Sequence, residues 1–134
     1  MKFARLVFLI AGIYGLIVVA PQYFLEARIG RDTPPAITHP EFFYGFVGVT
    51  VAWQVLFLVL ARDPVRYRPM MLVGVLEKIG FPIAIAILYA QNRVAPMIVG
   101  AATIDLILGV LFLVAYLKTG EPGKTSEPNH EHNF

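Results

Sequence analysis

Four long apolar blocks, separated by short polar segments, make up most of this chain. The blocks cover about residues 3–25, 42–61, 69–90 and 95–117. Each has roughly the twenty predominantly apolar residues that an α-helix needs to cross the hydrocarbon core of a bilayer. The pattern therefore predicts an all-α fold, in which residues 1–117 form one four-helix transmembrane bundle.

The polar segments are predicted to connect the helices without regular structure of their own. The longest, residues 26–41, contains Gly30 and prolines at positions 34, 35 and 40, which disfavour regular structure. Residues 118–134 are rich in Gly, Pro, Ser, Glu, Asn and His and lack the apolar residues needed to fold. We expect them to form a disordered cytoplasmic tail.

The first block also has features of a secretory signal peptide, because a basic start precedes an apolar run. Two features argue against cleavage. The run from Leu6 to Pro21 is longer than a usual signal core, and Pro21 directly follows Ala20, the best small residue for a cut. We therefore expect the first helix to be retained.

The distribution of lysine and arginine predicts the orientation. With four spans, the N-terminus, the segment 62–68 and the tail lie on one side of the membrane. This side carries seven basic residues: Lys2, Arg5, Arg62, Arg66, Arg68, Lys118 and Lys124. The other side carries three: Arg28, Arg31 and Arg93. The positive-inside rule then places both termini in the cytoplasm.

Composition supports a membrane protein and excludes several other classes. Hydrophobic residues make up 57% of the chain and charged residues 15%, whereas a soluble domain has about a quarter charged. The sequence pI near 9.0 does not indicate nucleic-acid binding, because the basic residues lie at the block ends. The absence of cysteine excludes disulfides, thiol redox chemistry and thiolate metal sites.

The third and fourth blocks carry charged residues well inside the membrane. Glu77, next to Lys78, lies eight residues past Pro69, or about 12 Å along the helix at 1.5 Å per residue. Asp105 lies ten residues past Ala95, or about 15 Å by the same rise. Because the two helices are antiparallel, we expect the three charges at similar depth, in the middle to cytoplasmic half.

These residues predict a polar core shared by all four helices. We expect Lys78 to form an ion pair with Asp105, since an unpaired charge in lipid is costly. Neighbouring residues in a helix do not face each other, so Glu77 is a poor partner for Lys78. Glu77 is then expected to bind Gln54 or Tyr14 through a hydrogen bond, or to be protonated.

Pro82 adds a further polar group at the same level. It has no N–H to donate to the carbonyl of Lys78, and its ring opens the turn, so we predict a helix kink there. The free carbonyl and the three ionisable groups are candidates to bind a proton or a small polar ligand.

No metal or cofactor is predicted. The candidate ligands in residues 26–41 match no known metal-site spacing, and two histidines in a flexible tail do not make a preformed site. These residues are Glu26, Asp32, His39, Glu41, His130 and His132.

Small residues predict where helices approach closely. Gly45, Gly48 and Ala52 form a stripe on the second helix, and Gly12 and Gly15 mark contacts of the first helix. Such contacts suit packing within the bundle, a homo-oligomer or another membrane protein.

The stretches EFFYGFVGVTVAWQ, RDPVRYRPMMLVGVLEKIGFPIAIAILY and IDLILGVLFLVAYLKT resemble small, uncharacterised bacterial inner-membrane proteins with four helices. The region from the second helix onward, which contains them, covers about two thirds of the chain. In size and span number the chain also resembles the DoxX-like group. The resemblance implies a four-helix fold in a bacterial inner membrane and no particular activity. Small multidrug transporters place their key glutamate in the first helix, whereas this chain has no carboxylate before Glu26.

Three functional hypotheses follow. The leading one is a non-enzymatic accessory or structural subunit whose ion pair holds the third and fourth helices together. The alternative is proton-coupled transport or binding of a small polar or amphipathic ligand by an oligomer. The third is a redox or lipid-modifying enzyme, which would need a bound quinone or a similar cofactor, since the chain has no cysteine and no intramembrane histidine.

Overall fold

Four long helices dominate the computed structural model, which describes residues 2–120. They are long and apolar enough to cross a membrane, and they cover Lys2–Phe24, Pro40–Arg62, Arg68–Ala90 and Pro96–Lys118. No strand occurs within the described residues. The prediction of an all-α chain with four spans is therefore confirmed. Most of the predicted tail, residues 121–134, lies outside the described part.

The first span consists of two helical segments. Helix α1 (Lys2–Val19) passes directly into a 3-10 helix, Ala20–Phe24, which has Pro21 in its first turn. A proline cannot donate the backbone hydrogen bond that an α-helix requires at its interior positions, so the change of helix type occurs at this residue. The span is otherwise close to the predicted residues 3–25.

A short helix, α2 (Glu26–Asp32), follows, and the prediction that residues 26–41 lack regular structure is wrong for this part. Glu26 in the first turn and Arg31 in the last complement the helix dipole. Gly30 weakens a helix but is needed here, because a methyl group on it would lie 3.1 Å from the Cα of Ala36. Prolines 34 and 35 follow the helix after Thr33.

The remaining spans agree with the predicted blocks to within two residues at each end. Helix α3 covers Pro40–Arg62, α4 covers Arg68–Ala90 and α5 covers Pro96–Lys118. Each has a proline in its first turn, where the missing N–H would have no helical partner in any case. Helix α4 is helical on both sides of Pro82, and the kink there stays a prediction.

The four spans form two antiparallel pairs that lie side by side. Helix α1 packs against α3, and α4 packs against α5. Contacts between α1 and α5 join the two pairs, whereas α3 packs least closely against α4. The resulting order around the bundle is α1, α3, α4 and α5.

Glycines allow the close approach within each pair. A methyl group on Gly12 would lie 2.9 Å from the backbone oxygen of Gln54, so α1 and α3 are in near-backbone contact there. One on Gly109 would lie 3.2 Å from the Cβ of Lys78, which brings α5 onto α4. The predicted contact at Gly45 is not made among residues 2–120, since none of their atoms lies within 4 Å of a methyl group placed there.

An aromatic core fills one half of the bundle. The ring centroid of Phe8 lies 4.2 Å from that of Phe112 and 6.0 Å from that of Phe57. Met71 and Leu60 are fully buried in the same cluster. All five residues lie in the half of their helices nearest to the 63–67 connection. The tight packing of the bundle is therefore concentrated at that end.

Candidate intramembrane binding site

The other half of the bundle contains a cavity of about 350 Å³. All four spans contribute to its wall, and its volume falls in the range of small-molecule pockets. The five polar residues that the sequence singled out all line it. They are Tyr14 from α1, Gln54 from α3, Glu77 and Lys78 from α4, and Asp105 from α5.

These polar residues lie near the middle of their helices. The midpoint of α4 (68–90) is residue 79 and that of α5 (96–118) is residue 107, so Lys78 and Asp105 are one and two residues away. At 1.5 Å per residue these offsets are about 1.5 and 3 Å. The rest of the cavity extends towards the connections 20–39 and 91–95, where Val18, Phe46 and Ile98 form apolar walls.

Lys78 is the central contact of the site and is only 4% exposed. Its Nζ lies 3.3 Å from Oδ1 of Asp105, to which it donates a hydrogen bond. The same atom lies 5.5 Å from the centre of the Phe57 ring, at the boundary between the cavity and the aromatic core. The predicted contact between Lys78 and Asp105 is therefore present.

Glu77 is closer to Lys78 than expected. Its Oε2 lies 3.7 Å from the Nζ, which is within ion-pair range but too long for a hydrogen bond. The long, flexible side chain of Lys78 brings its ammonium group between the two carboxylates, although the two Cβ atoms point in different directions. No hydrogen bond joins Glu77 to Gln54 or Tyr14 within residues 2–120, so this part of the expectation is wrong, and the protonation of Glu77 stays a prediction.

Gln54 turns its amide towards its own helix. Its Nε2 donates a hydrogen bond of 3.1 Å to the carbonyl of Thr50. This hydrogen bond sets the orientation of the amide group, and Oε1 is left without a hydrogen-bond partner. The residue is 1% exposed. Gly15 packs directly on this amide, and any side chain at Gly15 would overlap it.

The site therefore holds two buried acceptors with no hydrogen-bond donor: Oε1 of Gln54 and Oε2 of Glu77. A buried polar atom left unpaired destabilises a protein by about 1–3 kcal/mol. Since nearly all buried polar atoms in proteins are paired, each unpaired one requires an explanation. The arrangement suits a donor group or a proton entering the cavity.

No apolar residue of the cavity wall was predicted as a site residue. On transmembrane helices such residues have the same composition as those facing lipid. A signal was nevertheless present, because wall residues recur at helical spacing from the polar ones. Phe46 and Thr50 precede Gln54 by eight and four residues, and Ile98 and Ala101 precede Asp105 by seven and four.

The acidic and histidine side chains outside the cavity are engaged elsewhere. Tyr44 donates a 2.7 Å hydrogen bond to Glu26, and Nδ1 of His39 lies 3.2 Å from Oε1 of Glu41. In the part of the chain that the structure describes, no three His, Cys, Asp or Glu side chains come together to hold a metal ion. His130 and His132 lie outside that part.

Comparison of the chain with models of known families, with curated proteins and with solved structures finds no match. The resemblance to small bacterial inner-membrane proteins therefore stays a prediction. The cavity and its polar residues are therefore the basis for assigning a function.

Proposed function

We propose that this chain is a multi-pass protein of the bacterial inner membrane that binds a small molecule in the cavity between its four spans. One observation carries the proposal: Gln54 and Glu77 line a cavity large enough for a ligand, and each holds a buried acceptor, Oε1 and Oε2, that lacks a donor. This favours ligand binding over the purely structural role that the sequence suggested first.

The shape of the bundle favours binding over conduction. The cavity ends near Lys78, and the aromatic core of Phe8, Phe57 and Phe112 occupies the space beyond it. A pathway through the bundle would require these rings to separate. The protein is accordingly proposed to bind its ligand in a cavity that is closed at one end.

The proposal is tested by native mass spectrometry of the protein in nanodiscs formed directly from the membranes in which it is made. Wild type is expected to carry a bound small molecule in addition to lipid. Ala101→Leu places a larger side chain in the cavity wall without altering a polar group, so it is expected to lose most of that molecule.

Ala86→Leu is the matched control, because Ala86 is exposed on α4 and does not line the cavity. It is expected to retain the bound molecule. Equal occupancy of wild type and Ala101→Leu, or an empty cavity in both, contradicts the proposal.

A second candidate is structural, and the contact between Lys78 and Asp105 favours it. If both side chains are charged, this contact is an ion pair that joins α4 to α5 at the middle of the bundle. The two candidates differ in the loss of stability that is expected when the pair is removed.

A further inference from the structure

The charges around the cavity do not balance. Glu77 and Asp105 contribute two carboxylates and Lys78 one ammonium group, so the ionised site has a formal charge of −1. The other polar side chains on the wall, from Tyr14, Gln22, Thr50 and Gln54, carry no formal charge. Because charge is poorly screened in a low-dielectric interior, a single positive charge in the cavity is favoured.

The unpaired atoms point to the same kind of ligand. Oε1 of Gln54 and Oε2 of Glu77 are both acceptors, and Gln54 is 1% exposed. They require donors rather than further acceptors. An ammonium group supplies three N–H donors together with the positive charge.

The cavity walls beyond the polar residues are apolar. Val18, Phe46, Phe81 and Ile98 line the part that extends away from Lys78. Helix α3 packs least closely against α4, and the short 63–67 connection keeps them together only at the end occupied by the aromatic core. An alkyl chain can therefore pass between α3 and α4 at the cavity end.

We propose that the ligand is a lipophilic monocation, with a protonated amine at Glu77 and Gln54 and an alkyl chain along Phe46 and Phe81. This inference rests on the proposed function and names its ligand class. The ligand reaches the site from the bilayer, between α3 and α4.

The test uses tritiated dodecylammonium and the full chain in phosphatidylcholine nanodiscs at neutral pH, with protein-free nanodiscs measuring partition into lipid. Saturable binding to one site is expected. Unlabelled dodecylammonium should displace the probe. Dodecanol lacks the charge and ethylammonium lacks the chain, so each should compete at least tenfold less well.

Glu77→Gln keeps the shape of the side chain and removes its charge, and it is expected to weaken binding at least tenfold. Glu41→Gln is the matched control, since that carboxylate lies at the start of α3, away from the cavity, and should leave binding unchanged. Ala101→Leu provides a second variant that blocks the cavity without touching a charge, and it should abolish saturable binding.

Equal competition by dodecanol overturns the requirement for charge, and equal competition by ethylammonium overturns the requirement for a chain. Unchanged affinity in Glu77→Gln, or no saturable binding in wild type, overturns the proposal as a whole. If dodecylammonium fails but the mass-spectrometric adduct is still lost in Ala101→Leu, only the ligand class is wrong. If both fail, the binding function is wrong too.

Discussion

At the scale of single residues, the burial of Lys78 decides the chemistry of the bundle. An ammonium group in the middle of a membrane is costly unless it is paired, and here two carboxylates lie within 4 Å of it. Two carboxylates and one ammonium group give the ionised site a formal charge of −1. Lys78 therefore joins helices through Asp105 and, in the proposed function, leaves one carboxylate charge for a cationic ligand.

The contribution of the pair to stability can be measured with a double-mutant cycle in nanodiscs. Lys78→Met leaves two carboxylates without a cation, and breaking a buried pair typically costs about 3–5 kcal/mol. Asp105→Asn leaves Lys78 with Glu77, 3.7 Å away, so this variant should be destabilised less. We expect Lys78→Met to lose stability in this range, and the double variant, which keeps only the Glu77 charge, to recover part of the loss.

An exposed pair provides the control for this cycle. Arg28 and Asp32 are more than half exposed and lie 3.4 Å apart on one face of α2. The cycle of Arg28→Met and Asp32→Asn should give a coupling of less than about 1 kcal/mol. If Lys78→Met and Asp105→Asn prove as stable as wild type, the contact does not hold the helices together, and the structural candidate is wrong.

At the scale of helices, glycine positions set how closely each pair packs. Gly12 faces the backbone of α3, whereas Gly45 has open space around it. The sequence predicted a close contact at both. Within the described part of the chain, the contact at Gly12 is made and the one at Gly45 is not. A small residue allows close approach but does not indicate whether a neighbouring helix, a second copy or lipid lies opposite.

This difference predicts opposite effects of two alanine substitutions. Gly12→Ala should destabilise the fold by about 1–3 kcal/mol, since the Gln54 backbone oxygen cannot move away as a side chain could. Gly45→Ala should be neutral, or stabilising by up to about 1 kcal/mol, through its better helix propensity. Thermal unfolding in nanodiscs measures both. Equal destabilisation by the two substitutions would show that Gly45 has a partner, such as a second copy of the chain.

At the scale of the whole molecule, orientation determines which side the cavity faces. The positive-inside rule predicts that both termini lie in the cytoplasm, and the cavity would then extend towards the outer surface. The chain has no native cysteine, and a single introduced thiol can therefore be labelled without background.

We expect Asp32→Cys and Gln91→Cys to react with a membrane-impermeant maleimide in intact cells, and Arg66→Cys to react only after lysis. All three positions are exposed in the structure, so access depends on the side of the membrane. Wild type is the blank. The reverse pattern would place the termini outside and would open the cavity to the cytoplasm.

The amino-acid sequence by itself determined the four long apolar helices, their ends to within two residues and the position of Glu77, Lys78 and Asp105 near the middle of their helices. These are local properties, because the length and apolar character of each block decide where it can cross a bilayer. The tertiary structure alone decided which groups meet. Lys78 lies between both carboxylates, Gln54 turns to its own helix, and a cavity remains where α3 and α4 separate. These features depend on the rotation of each helix about its axis and on the distance between neighbouring helices. Both are decided by contacts between helices, such as those of Gly12 and Gly109, which form only when the helices pack together.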